Sequence, residues 1–223
     1  MKKSILLAAM AAIALLIVPG CSKDDTDPPV ITLIGDDPLD IEMRSNYQDP
    51  GATAEDEEDG DLTSSIQIDD SEVNTDLPGE YTVYFSVSDA AGNIANATRT
   101  VDVFATAGAI AGSYNVTDSC GSGASLQVYT YTQVVSAVNS TTIGFNKFAD
   151  YSGNTAITAT IDQNTGNITL PLQNGLNIGS LSEDHDFQGT GGVISTGFII
   201  NYTDRNNSVT PVSTAACKAY FIR

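Results

Sequence analysis

Apolar and polar residues alternate along residues 81–88. Tyr81, Val83, Phe85 and Val87 fall on one face, and Thr82, Ser86 and Ser88 on the other, with Tyr84 the apolar exception. A period of two is the mark of a half-buried β-strand. Asp89-Ala90-Ala91-Gly92-Asn93 supplies a hairpin loop, and residues 94–104 return beside the first strand. Shorter runs of the same kind precede them: residues 30–33 before Gly35-Asp36-Asp37-Pro38, and 39–43 before Arg44-Ser45-Asn46. No helical period competes. Several short strands with regular turn signals indicate a β-sandwich over residues 30–104.

Residues 105–112 (Ala-Thr-Ala-Gly-Ala-Ile-Ala-Gly) are small and read as a flexible linker. Strand-like runs then resume at 113–118, 126–138, 141–148, 155–161, 167–170, 187–194, 197–204 and 217–223. Asn139-Ser140, Asn164-Thr165-Gly166 and Ser195-Thr196-Gly197 supply turns. A run of antiparallel strands with short connections predicts a meander over residues 113–223, closed into a small barrel or stacked as a sandwich. The expected fold class is all-β throughout.

The first twenty residues follow a different rule. Lys2 and Lys3 precede an apolar stretch over residues 5–18, and Val18-Pro19-Gly20 leads to Cys21-Ser22. A basic start, a short apolar core and small residues at the cut describe a secretory signal peptide. The stretch is shorter than the roughly 20 residues a helix needs to span a bilayer. A cysteine after small residues resembles the lipobox of bacterial lipoproteins. That resemblance implies signal removal at residue 20, a lipid (palmitate included) on Cys21, and a membrane as partner through that lipid. Residues 21–29 are charged and proline-bearing and read as a tether. Lys23-Asp24-Asp25 resembles the export signal that sends some lipoproteins to the outer face of the outer membrane.

Export bears on the cysteines. Cys120 and Cys217 are left as a pair once Cys21 is assigned to the anchor, and an oxidising compartment makes a disulfide the first expectation. Placing Cys120 opposite Cys217 in an antiparallel pair sets Tyr114 opposite Arg223. The first and last strands of the domain are then matched in length, and pairing them closes the sheet.

Charge divides the chain at the same boundary. The full chain carries a formal −19, and loss of Lys2 and Lys3 with the signal takes it to −21. From Cys21 to Phe104 there are 21 acidic and 3 basic residues; from Ala105 to Arg223 there are 7 and 4. So acidic a body makes nucleic acid an improbable partner, because neutralising phosphates requires Lys and Arg. Anionic headgroups would also repel it, so the anchor must come from the lipid.

Five motifs occur in order: Pro28-Pro29-Val30-Ile31-Thr32-Leu33, Tyr47-Gln48-Asp49-Pro50-Gly51-Ala52-Thr53-Ala54, Asp59-Gly60-Asp61-Leu62-Thr63, Pro78-Gly79-Glu80-Tyr81-Thr82-Val83 and Asp89-Ala90-Ala91-Gly92-Asn93. They resemble bacterial Ig-like domains of the pesticidal crystal protein type. The resemblance implies an Ig-like sandwich used as a spacer or adhesion module, and it brings no catalytic residues. Ile110-Ala111-Gly112-Ser113-Tyr114 resembles the Gly-x-Trp start of lipocalin-like barrels, with Tyr where Trp is usual. The region as a whole resembles the small lipocalin-like β domains of bacterial surface lipoproteins.

Candidate chemistry is sparse. Residues 55–61 hold six carboxylates and one Gly, and calcium takes six to eight oxygen ligands. EF-hand spacing is absent, so the segment reads first as a solvated acidic loop, with Glu55, Asp56, Asp59 and Asp61 as calcium candidates. His185, the sole histidine, lies among Glu183, Asp184 and Asp186 and reads as an exposed loop residue. No Gly-x-Ser-x-Gly elbow exists to pair with it. Tyr129 and Tyr131 share one strand face, and Tyr151 follows Phe145 and Phe148 in a loop. Such rings line a core more often than they stack on sugars. The expectation is therefore a non-enzymatic cell-envelope lipoprotein, without cofactor unless calcium binds. An Ig-like spacer would present a β-barrel-like head to a glycan or surface-protein partner. The alternatives are a lipocalin-like carrier of a small apolar ligand and, more remotely, a glycan-processing hydrolase accessory.

Overall fold

The computed structural model describes residues 24–121, 123–150, 157–178 and 183–223. The signal segment, Cys21 and Tyr151 lie outside them. The chain is all-β, with an Ig-like N-terminal domain and a closed eight-stranded antiparallel barrel in the C-terminal part.

The Ig-like domain is built from β1 (Val30–Leu33), β2 (Leu39–Glu42), β3 (Ala52–Asp56), β4 (Gly60–Asp61), β5 (Gln67–Asp69), β6 (Gly79–Ser88) and β7 (Ile94–Phe104). Two sheets, of order β1-β3-β4 and β2-β7-β6-β5, form its layers. The period-two pattern decides the core. Val83, Phe85 and Val87 of β6 and Val101 and Val103 of β7 are buried, and the residues between them face outward. Ala52 and Ala54 of β3 are buried as well.

Arg99 breaks that pattern. It lies on the inward face of β7 with 0% exposure. Its Nε is 3.0 Å from Asp49 Oδ2. Its Nη1 donates to the Asp36 carbonyl at 2.5 Å, and Nη2 donates to the carbonyls of Ile34 at 2.7 Å and Gly51 at 3.0 Å. Tyr47 donates to the same Asp49 at 2.8 Å, and burial together with that carboxylate pushes the Tyr47 hydroxyl pKa up. The Tyr47-Gln48-Asp49-Pro50-Gly51 motif therefore wraps the buried Arg99 and ties together the loops around β2.

The barrel runs β8 (Gly112–Cys120), β9 (Gln127–Asn139), β10 (Thr142–Phe145), β11 (Ile157–Ile161), β12 (Asn167–Ile178), β13 (Glu183–Ile194), β14 (Gly197–Asn206) and β15 (Ser213–Ile222). Its order is β10-β11-β12-β13-β14-β15-β8-β9, and β9 pairs back with β10. The expected register holds. Cys217 lies opposite Cys120 and Ile222 opposite Asn115, and the two cysteines are bonded, S–S 2.08 Å. Gly189 and Gly191 let β13 approach β14 closely: a Cβ on Gly191 would meet the Ile199 carbonyl oxygen at 1.8 Å, and one on Gly189 the Asn201 oxygen at 2.3 Å. Side-chain-free positions of this kind let a sheet bend tightly enough to close.

Two expectations need correction. Residues 105–112 are not a flexible linker. They contain the one-turn helix α1 (Ala107–Ile110), capped by the Thr106 hydroxyl accepting from the Ala109 N–H at 3.0 Å. Ala105, Ala107 and Ile110 are buried, because small apolar residues fit where the two domains meet. Ala105 N–H donates to the Gln163 carbonyl at 2.7 Å, Ala107 N–H to that of Ser140 at 2.8 Å, and Arg44 Nη1 to that of Ala109 at 2.9 Å. The buried residues of both domains form one connected cluster. The other correction concerns β13. It begins at Glu183 rather than 187, so His185 sits on a strand.

Candidate functional site

One end of the barrel is closed by packing. Tyr114 from β8 reaches α1, where its hydroxyl donates to the Ile110 carbonyl. Arg223 lies across it: Nε donates to the Tyr114 hydroxyl at 3.0 Å, and Nη2 to the carbonyls of Ala109, Ile110 and Ala111 at 2.8–2.9 Å. The guanidinium carbon is 5.2 Å from the ring centroid, within cation–π range. Behind this cap, Phe198 stacks on Phe221 at 4.2 Å, and Tyr114, Phe145, Phe148 and Phe187 extend the aromatic packing. Side chains fill this half of the interior, as small barrels permit.

The other half is polar. Asp118, 1% exposed, accepts from the Tyr202 hydroxyl at 2.6 Å and from Tyr131 at 3.5 Å. Burial raises the Asp118 carboxyl pKa, although the two tyrosines oppose the rise. Tyr202 is raised in turn, by burial and by Asp118. Further toward the rim, His185 Nδ1 is 2.5 Å from Asp204 Oδ1, and Nε2 is 3.3 Å from Glu183 Oε2. Burial raises Asp204, opposed by His185. His185 is 3% exposed, which corrects the expectation of an exposed loop residue. Alternation explains it: with β13 extended to Glu183, His185 shares the inward face of Phe187. Tyr131 is buried, whereas Tyr129, on the same face but nearer the start of β9, is 49% exposed.

The raised carboxyls fix a sign. A carboxyl whose pKa is higher in the folded state binds its proton more readily there than in the unfolded chain. Its stabilising contribution is complete below the unfolded value, about 3.9 for Asp, and is lost as pH rises through the folded value. Lowering the pH from 7 toward the ordinary carboxylate range should therefore favour the fold through Asp118 and Asp204. The Asp118→Asn variant should show a smaller stability gain on acidification than wild type in parallel denaturant titrations. Equal gains would mean Asp118 titrates as it does in the unfolded chain.

The acidic loop is only partly as expected. Asp56 and Asp59 converge with residues outside the segment: Asp25, Asp56 and Glu58 place carboxylate oxygens within 4.8 Å of one another, and so do Asp25, Asp59 and Asp89. Glu55 and Asp61 are not in these groups. Glu55 lies on β3 paired with Val30 and Asp61, and Asp61 accepts from the Thr63 N–H at 2.9 Å. Glu58 is raised by desolvation and by the carboxylates of Asp25, Glu57, Asp56 and Asp27. Asp89 organises the hairpin loop, accepting from the N–H groups of Gly92 at 2.6 Å and Asn93 at 2.8 Å, with Gly92 at φ +95°. Asn93 Nδ2 donates to the Asp25 and Asp27 carbonyls at 3.4 Å, so the tether lies against this pole. Asp25 and Asp89 were invisible as partners in the sequence, being 64 residues apart. Calcium would find several of its oxygens here. Millimolar calcium should raise the melting temperature and a chelator should reverse the rise. Superimposable melts would remove calcium from the account.

A second acidic feature lies between the domains. Asp40, Asp102 and Glu80 are side by side on β2, β7 and β6, in a cleft of about 510 Å³ also lined by Gln163 and Asn164. Adjacent like charges weaken strand pairing.

Residues 31–103 match the family model of the bacterial surface protein Ig-like domain. No curated protein matches the chain. Among solved structures, the lipoprotein BT2262 from Bacteroides thetaiotaomicron is similar at 17% identity and TM-score 0.33, over 86% of this chain and 100% of that one. A structure of CBM51-2 in complex with GlcNAc and INT domains, from Clostridium perfringens ZmpB, is similar at 16% identity and TM-score 0.30, over 87% of this chain and 43% of that one. Likenesses this low carry no argument about function. The coarse conclusion is a β protein bearing an Ig-like domain of the bacterial surface type, which points to the cell envelope.

Proposed function

We propose that the chain is a non-enzymatic, lipid-anchored cell-envelope protein whose Ig-like domain holds the barrel away from the membrane as a recognition head. One observation carries this reading: the poles of the molecule are opposite in kind. The tether at Asp25 and Asp27 contacts the β6–β7 hairpin loop, and the barrel joins the far end of β7. Eleven extended residues separate these points, roughly 35 Å. The end of the barrel capped by Tyr114 and Arg223 faces the Ig-like domain, so its polar half points away from the anchor. A packed junction at Ala105, Ala107 and Ile110 gives the head a fixed orientation rather than a free one.

Cys21 as the lipidated residue and the outer membrane as the destination belong to this proposal, supported by the signal pattern and Lys23-Asp24-Asp25. So does membership of the pesticidal crystal protein variety of Ig-like domains, supported by the five ordered motifs. A carrier of apolar ligands is less well supported. Aromatic side chains fill the half near the Ig-like domain, and the other half is filled by the hydrogen-bonded side chains of Asp118, Tyr131, Tyr202, His185 and Asp204. The test is mass spectrometry of the N-terminal peptide from cell membranes. Acylated Cys21 in the outer-membrane fraction is the expected result; an unmodified chain recovered in the soluble fraction would refute the proposal.

A further inference from the structure

We propose that the outer wall of the barrel carries a groove for a neutral glycan chain, an inference that rests on the reading of the barrel as a recognition head. A concavity of about 630 Å³ crosses the wall over β12, β13, β14, β15 and β8. Ligand sites occupy about 300–1,000 Å³, so the volume suits an oligosaccharide. Its lining is ordered. Thr169, Thr190, Asn201, Lys218 and Ser119 lie in register on five successive strands. Gln188 and Thr203 form the next row. Strands are spaced about 4.8 Å apart, so the first row sets out five polar side chains over roughly 19 Å. Successive rings of an extended, equatorially linked glycan repeat on a similar scale.

The chemistry of the lining narrows the ligand. The chain has 28 acidic residues, yet among the described residues no carboxylate lines this groove. A cation would therefore find no counter-charge. A polyanion would find one ammonium, that of Lys218, which lies 4.7 Å from the Tyr220 ring centroid. A protein partner would want buried aromatic anchors at the centre of its contact; the groove offers hydroxyls and carboxamides. Among the described residues, the side chains of Thr169, Gln188, Thr190, Asn201 and Thr203 make no hydrogen bond within the protein, so their donors and acceptors are free for a ligand. Tyr220, on the outward face of β15, is 36% exposed beside the rows and offers an amphipathic ring for a pyranose face. A hydroxyl-rich, uncharged, elongated ligand satisfies all of these features together.

The mature chain should be titrated calorimetrically with cellotetraose and chitotetraose as neutral probes. Binding of at least one is expected. The double variant Thr190→Val with Asn201→Leu removes two hydrogen-bonding groups at nearly constant size and should weaken that binding by about tenfold or more, with an unchanged melt. Gln188→Met with Thr203→Val serves as a second pair should the first fail to fold. Tyr129→Ala, at the end of the barrel far from the Ig-like domain, should leave binding intact. Failure of both sugars to bind at millimolar concentration overturns the groove, as does undiminished binding by the folded groove variants. Loss of binding in Tyr129→Ala alone also overturns it, but would leave the barrel standing as a recognition head at its far end.

Discussion

Replacing Cys120 and Cys217 together by alanine should lower the unfolding free energy of the barrel by roughly 4 kcal/mol. The bond joins residues 97 apart in sequence and ties the first barrel strand to the last. The bond therefore closes a loop of about 100 residues in the unfolded chain, and the entropy model assigns about 4.7 kcal/mol to such a loop. Alanine is the better replacement because Cys217 is 5% exposed and a serine hydroxyl there would be buried. β8 and β15 keep their backbone pairing without the bond, so the variant should fold and unfold at a lower denaturant midpoint. Reductant should lower the wild-type midpoint similarly and leave the variant unmoved. A loss below about 1 kcal/mol would mean that strand pairing alone sets the closure.

Arg99→Met should cost about 3–5 kcal/mol, the usual penalty for breaking a buried ion pair by removing one partner. Asp49 would be left with its charge nearly buried, since its carboxylate is 5% exposed beside Arg99. The loop carbonyls of Ile34, Asp36 and Gly51 would lose the guanidinium as donor, Gly51 keeping only the Ile34 N–H. Arg99→Lys should recover little, because an ammonium cannot fork to three carbonyls and a carboxylate at once. Thermal melts of the isolated variants measure this directly. A lysine variant as stable as wild type would show that charge alone is needed, not the planar fork.

Much of the architecture was legible from alternation. Strands β6 and β7 fall where the 81–88 and 94–104 patterns place them, and the barrel register follows from one assumed cysteine pairing. Arg99 is a visible irregularity in β7, an arginine in the inward series Ala97, Val101, Val103, but its partners are 48 to 65 residues away. What stayed hidden was non-local. The sequence could not show that Asp25 returns to Asp89, or that His185 faces inward, because its acidic neighbours hide the start of β13. The expected strand stops at Leu170, whereas β12 runs on through Pro171 to Ile178 with shifts of register between Leu170 and Leu176. Residues 105–112 misled because Ala and Gly serve both flexible linkers and tight packing, and only the surfaces on either side distinguish the two. The outer groove exists only in register, since its residues are scattered from Ser119 to Lys218.

The polarity of the molecule is tested most directly in vesicles. The lipidated protein, labelled with a fluorophore at Glu57 or at Tyr129 and reconstituted into vesicles carrying a headgroup quencher, should show strong quenching at position 57 and almost none at 129. Equal quenching at the two sites, or no attachment to the vesicles at all, would contradict an anchored stalk with its head held outward.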